Sequence, residues 1–199
     1  MTYSATVYQV FIASPSDVAR ERIVITDVIH NWNTTHSIAL NAVLLPVKWE
    51  THTTPRMGDR PQAIINKQIV QESDILVAIF KARLGTPTGE AESGTVEEIK
   101  EFRAKGKPVL VYFSNAPIVP SSVASRQFAK LKKFKKECQK EGLISYYNSV
   151  RELREQLLRH LLGTVRELKG INDGPSITEL HFPSETSNLE LYFLHPHTN

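Results

Sequence analysis

The chain has 199 residues, 41% of them hydrophobic and 23% charged, with a formal net charge of +3 and a single cysteine. That length suits one domain of ordinary size plus a modest extension, and the composition excludes collagen-like, disordered and disulfide-framework classes. A surplus of +3 does not by itself imply nucleic acid, and no apolar run approaches the ~20 residues that span a bilayer.

The lone Cys138 fits a reducing compartment. The opening MTYSATVYQVFIA lacks the basic segment of a signal peptide, so the expectation is a soluble, cytoplasmic protein with no membrane partner. The seven histidines show no metal-ligand spacing, and no metal site is expected.

In chain order, residues 7–13 (VYQVFIA) predict a strand buried on both faces. Ser16 reads as an N-cap and Asp17 as a first-turn acid of an amphipathic helix, with Val18, Ile25, Val28, Ile29 and Trp32 inward. That helix is expected to end near Asn33, before a polar TTHS turn. Residues 42–49 (AVLLPVKW) form a second strand, and Pro46, lacking an N–H, puts it at an edge. Residues 50–60 read as loop. Pro61 then opens a helix striped with Ala63, Ile64, Ile65, Ile69 and Val70.

Residues 74–80 (DILVAIF) are an almost unbroken apolar run, hence a central strand. Residues 81–93 are a loop rich in Gly, Pro and Thr. Residues 95–105 are helical, closed by Gly106 as a left-handed C-cap. Residues 108–113 form the fourth strand. A lysine-rich helix over 126–141 buries Phe128, Leu131, Phe134 and Cys138, and its lysines read as a solvated face: the aromatics do not interleave with them, which argues against nucleic acid. A fifth strand (143–147) and a final helix (150–168) complete the pattern. Trp32 and Trp49 both read as packing residues.

Five strand–helix alternations imply an α/β fold with a five-stranded parallel sheet, helices on both faces, and the flavodoxin-like order 2-1-3-4-5. Residues 1–169 form the domain. Residues 170–199 form a C-terminal extension whose LELYFL patch reads as an added edge strand, a packed arm, or the start of something further. In this order the switch point lies between strands one and three, and ligands bind outside their carboxyl ends. The loops opening there are 14–17 and 81–93.

Two adjacent acids, Glu97 and Glu98, occupy the first turn of the helix after the second loop. Helix geometry sets them roughly 100° apart, so only one can face the crevice. Cleaving an N-glycosidic bond develops an oxocarbenium-like sugar that a carboxylate can stabilise or attack. First-turn acids are also favoured simply by the helix dipole. Ser14, Ser16 and Asp17 at the end of strand one suit a phosphate or ribose, although Ser16 equally suits a plain cap. Arg83 suits a pyrophosphate or open solvent, and Thr86, Thr88 and Ser93 add hydroxyls at the mouth.

The segments VFIASPSDVARER, PRMGDRPQAIINKQIVQESDILVAIFKARLG and SGTVEEIKEF resemble the successive conserved regions of Toll/interleukin-1 receptor (TIR) domains. The resemblance covers roughly residues 7 to 165. It implies an NAD⁺ nucleosidase of bacterial defence or stress response, with Glu98, followed by Ile99, as the catalytic glutamate. NAD⁺ or a related nucleotide is then the substrate, with no separate cofactor. It also places the loop of Arg56, Gly58 and Arg60 beside the site and implies self-association. The Trp-Cys pair usual before that glutamate is replaced by Val96 and Glu97. Gly94, Thr95, Glu98 and the run from Gly106 to Val109 are also similar to nucleoside 2-deoxyribosyltransferases, which implies nucleoside N-glycoside cleavage or transfer as an alternative. A non-catalytic TIR-like signalling module that binds a nucleotide or a protein partner is the third expectation.

Overall fold

A computed structural model describes residues 2–118 and 125–171. Five parallel strands, β1 (Thr6–Ala13), β2 (Ala42–Val47), β3 (Ile75–Phe80), β4 (Val109–Ser114) and β5 (Ser145–Tyr147), form one sheet in the order β2-β1-β3-β4-β5. This is the flavodoxin-like order expected from the sequence. The LELYFL patch of the C-terminal extension lies outside the described residues.

The helices are α1 (Ala19–Leu40), α2 (Trp49–His52), α3 (Pro61–Ile65), α4 (Gly94–Ala104), α5 (Ser125–Glu141) and α6 (Val150–Leu168). Strand alternation divides the core in two. Val10 and Ile12 of β1 pack with Ile25, Ile29 and Trp32 of α1 and Leu153, Leu157 and Leu161 of α6. Phe11 and Ala13 face the other way, toward Val96, Ile99 and Phe102 of α4 and Phe134 of α5. β3 is buried at every position, as a central strand covered on both faces must be.

Three local expectations are corrected. The TTHS segment is helix: the Thr34 and Thr35 hydroxyls donate back to the carbonyls of His30 and Asn31 at 3.1 and 3.0 Å, so these polar residues continue α1. It ends instead at Asn41, in the left-handed region at φ 45°. Part of the expected 50–60 loop is α2, which cuts β2 short at Val47. Ser16 makes no capping bond; its hydroxyl accepts from Arg83 at 3.4 Å.

Both edges of the sheet are closed by a helical amide. Asn33 of α1 donates to the Leu44 carbonyl and accepts from the Leu44 N–H, both at 2.7 Å, standing in for a neighbouring strand on β2. Pro46 removes a further edge donor. At the opposite edge Gln156 of α6 donates to the Tyr146 carbonyl at 2.8 Å and accepts from the Ser145 hydroxyl at 2.7 Å.

α3 runs into a π-helical turn, Asn66–Val70, and the Lys107 ammonium donates to three carbonyls at and just past its end, those of Val70, Gln71 and Ser73. These bonds satisfy orphan carbonyls at a helix end. They also fix α3 against α4, the pairing that builds the cleft described below.

Asn33→Ala removes two bonds to one buried residue. It should cost about 2–3 kcal/mol, read as a lower urea midpoint at unchanged slope; a loss under about 0.5 kcal/mol would show that water replaces the amide at this edge.

Candidate active site

Ser93 starts α4 by accepting from the Val96 N–H at 3.2 Å, and this cap places Glu97 in the first turn and Glu98 directly after it. Both are 6% exposed. They point into different surroundings, as helix geometry requires.

Glu97 enters a closed polar network. Its carboxylate accepts from both terminal nitrogens of Arg60 at 2.9 and 3.3 Å, from Asn66 at 3.0 Å and from the Thr88 hydroxyl. Asn66 heads the π turn, accepts from Gln62 at 2.8 Å and donates to Glu101 at 2.6 Å. Burial alone would raise the Glu97 carboxyl, but the bonds from Arg60, Thr88 and Asn66 outweigh it and hold the group below the ordinary carboxylate value.

Glu98 has one side-chain donor among the described residues, the Gln62 carboxamide at 2.9 Å. Burial pushes its carboxyl from an ordinary 4.5 up to about 7; the Gln62 bond opposes the shift, and the charges of Glu97, Glu101 and Glu50 add to it. The acid lines a cleft of about 260 Å³ with Ser14, Ser16, Trp49, Gln62, Arg83, Thr86, Ser93 and Thr95. The cleft opens beyond the carboxyl ends of β1 and β3, at the switch point.

Two glycines make room for this arrangement. A Cβ on Gly94 would sit 2.5 Å from Gln62 Oε1, so glycine lets Gln62 lie across the start of α4. Gly85 holds φ +112°, and its Cβ would meet Ser93 Cβ at 3.0 Å; the loop can therefore pass tightly over the cap.

Of the residues singled out from the sequence, Ser14, Ser16, Arg83, Thr86 and Ser93 line the cleft together with Glu98. Asp17 braces it from outside, accepting from the Ala82 N–H at 2.9 Å and so tying the loop after β1 to the end of β3. Arg56 is exposed and does not line the cleft; the arginine of that loop nearest the acids is Arg60, on Glu97. Sequence reasoning missed Gln62 and Asn66, whose partners lie 31 to 36 residues away. It also misread Trp49. Trp32 is fully buried as expected, but Trp49 is 45% exposed at the cleft. The one available signal for Gln62 was its place directly after the helix-opening Pro61.

Fold and cleft together define a flavodoxin-like α/β domain with a buried acid at its switch point. The chain belongs to the family described as Domain of unknown function (DUF4062), whose model matches residues 9–162. Comparison with curated proteins finds no match. Among solved structures, the translation elongation factor SelB from Methanococcus maripaludis in complex with the GTP analogue GppNHp is similar at 12% identity and TM-score 0.46, over 83% of this chain and 35% of that one. Flavodoxin 1 from Bacillus cereus is similar at 12% identity and TM-score 0.38, over 81% and 98%. A 2-desoxiribosyltransferase from Leishmania mexicana is similar at 15% identity and TM-score 0.35, over 55% and 66%. The chain thus spans about a third of the elongation factor's length, and at these identities the likenesses concern the fold alone.

The raised carboxyl of Glu98 has a stability consequence. Between 4.5 and about 7 the folded protein binds a proton that the unfolded chain has released, so this group's contribution to stability falls as pH rises through that window and stays low above it. Keeping Glu98 ionised costs about 3 kcal/mol. Glu98→Gln, which retains an acceptor for Gln62, should therefore stabilise the protein by up to that amount at pH 8, and the gain should vanish near pH 4.5. Paired urea titrations across this range test it; a gain that does not change with pH would show that Glu98 is not desolvated in solution.

Proposed function

We propose that the Glu98 cleft cleaves the N-glycosidic bond of NAD⁺, releasing nicotinamide. The observation that supports this reading is that Glu98 is the only acid among the residues lining the cleft. A neutral base needs an acid to protonate it as it leaves. A pyridinium needs none, because the electron pair of the breaking C1′–N bond neutralises the ring. One carboxylate then suffices.

In this mechanism Glu98 works ionised. The developing positive charge at C1′ is stabilised beside its carboxylate, water adds to C1′, and Glu98 takes the proton that the water loses. A carboxyl raised to about 7 is a stronger base than an ordinary glutamate at neutral pH. Ser14, Ser16 and Arg83 at the end of β1 and β3 suit the ribose and phosphate oxygens. The exposed indole of Trp49 offers an aromatic face to the cationic ring. Glu97, Arg60 and Asn66 act through Glu98 and the shape of α3, without contact with substrate. The exposed loop carrying Arg56 and Met57 is the surface assigned to self-association in this reading.

A second reading rests on size. About 260 Å³ is at or below the small end of ligand pockets and accommodates a nucleoside more readily than a whole dinucleotide, which favours deoxyribosyl transfer or nucleoside cleavage, with ionised Glu98 attacking C1′ as the C1′–N bond breaks and the leaving base taking its proton from water.

Concentrated protein incubated with NAD⁺, and separately with a deoxynucleoside plus a free base, distinguishes the two. Nicotinamide release should fall at least a thousandfold in Glu98→Gln, and kcat/KM should rise with pH to a plateau with a midpoint near 7 as Glu98 ionises. The kcat midpoint should be lower, since a bound cation favours the carboxylate. Base exchange without nicotinamide release would establish the second reading, and turnover that survives Glu98→Gln would remove Glu98 from the chemistry.

A further inference from the structure

The Glu98 cleft is not the largest in the molecule. A cleft of about 800 Å³ opens at the carboxyl end of β4, where the strand meets α5, and shares no lining residue with the first. Its walls are apolar, formed by Phe113, Phe128 and Leu131, and three lysines line it: Lys81, Lys132 and Lys135.

Of these, Lys135 is half-buried and Lys132 exposed. The Lys135 ammonium lies 4.2 Å from the Tyr146 ring centroid and 5.7 Å from that of Phe113, and donates to Asn115 Oδ1 at 3.4 Å. Burial lowers its pKa. Lys132 lies over Phe128 at 4.7 Å, one turn away on the same helix. Among the described residues neither joins a carboxylate, whereas Lys81 donates to Glu21 at 3.2 Å. Two lysines that have no carboxylate partner among the described residues therefore line an aromatic-walled cavity of ligand size.

We propose that this cleft is a second ligand site, taking an organic anion with an aromatic body. The anionic group meets Lys132 and Lys135, and the ring lies against Phe113, Phe128 and Leu131. Carboxylates, sulfonates and phosphate monoesters share this chemistry. A geometric link joins the site to the first. Gln127, beside Phe128, accepts from the N–H groups of Leu84 and Gly85 at 3.1 Å and donates to the Gly85 carbonyl at 3.1 Å, and Gly85 borders the Glu98 cleft.

The test uses 8-anilinonaphthalene-1-sulfonate, an aromatic anion that fluoresces when bound, with the full chain. Neutral N-phenyl-1-naphthylamine supplies the ring without the charge, and inorganic phosphate the charge without the ring. The sulfonate should bind one per chain, at least tenfold more tightly than either control. Lys132→Gln and Lys135→Gln should each weaken it about tenfold. Ala129→Trp, filling the cleft from an exposed position, should abolish binding, and Glu98→Gln should leave it unchanged. Unaltered thermal midpoints of the lysine and alanine variants establish that each is folded. Absence of binding, equal binding of the neutral dye, or affinity insensitive to the lysine and tryptophan substitutions would each overturn the proposal.

Discussion

Two carboxylates at consecutive positions of a buried helical turn cannot both be ionised without help, and the fold supplies that help unequally. Glu97 receives a guanidinium, an amide and a hydroxyl. Glu98 receives one amide. The inequality follows from the roughly 100° step between successive helical residues, which turns one acid toward α3 and the π turn and the other toward the switch point. Once Arg60 holds Glu97 ionised, its negative charge becomes one of the groups that raise Glu98. The network around Glu97 thus does two things: it joins α3, the loop at Thr88 and α4 into one wall, and it tunes the acid beside it. The two carboxyls are thereby driven apart, Glu97 downward and Glu98 upward, a pattern the proposed reading uses to assign Glu98 the chemistry.

The parts of this arrangement legible in the sequence are those written in local pattern. The apolar runs of β1 and β3, Pro46 at an edge, Gly106 at a helix end and the alternation of strands with helices give the strand order, and the order locates the crevice and Glu98 beside it. What was not legible depends on distant side chains. Nothing around Asn33 shows that it replaces a strand for Leu44, and nothing around Gln62 or Asn66 shows that α4 lies within reach. Thr34 and Thr35 were misread because a hydroxyl bonding to the carbonyl four residues back makes a turn-like composition compatible with helix. Trp49 reads as core because indole is mostly apolar, and only the early end of β2 turns it toward the mouth of the cleft.

The energetics of Glu98 bear on its meaning. A solvent-starved carboxyl that costs the fold about 3 kcal/mol in its ionised form weighs heavily against a total stability of about 5–15 kcal/mol. Packing does not require it: the Glu97 network closes without it, since its only shared member is Gln62, which also bonds Asn66. The cap of α4 is made by Ser93, so Glu98 does not serve the helix end either. A group that burdens the fold, receives a single side-chain bond among the described residues and lines a cleft with hydroxyls and an arginine fits the proposed reading, in which raised basicity is useful.

The same end of the sheet carries two clefts of opposite character. One is lined by a single acid, on α4, together with Arg83; the other is lined by lysines on α5 that have no carboxylate partner among the described residues. The division follows from the helices that flank β3 and β4, because α4 presents acids at positions 97 and 98 near its start and α5 presents lysines at positions 132 and 135, one turn apart. Gln127 ties the loop of the first cleft to the first turns of α5. Gly85 in turn lies beside Ser93, where a Cβ on the glycine would meet Ser93 Cβ at 3.0 Å. Ser93 caps the helix that holds Glu98. A continuous run of contacts thus joins the start of α5, beside the basic cleft, to the helix that carries Glu98.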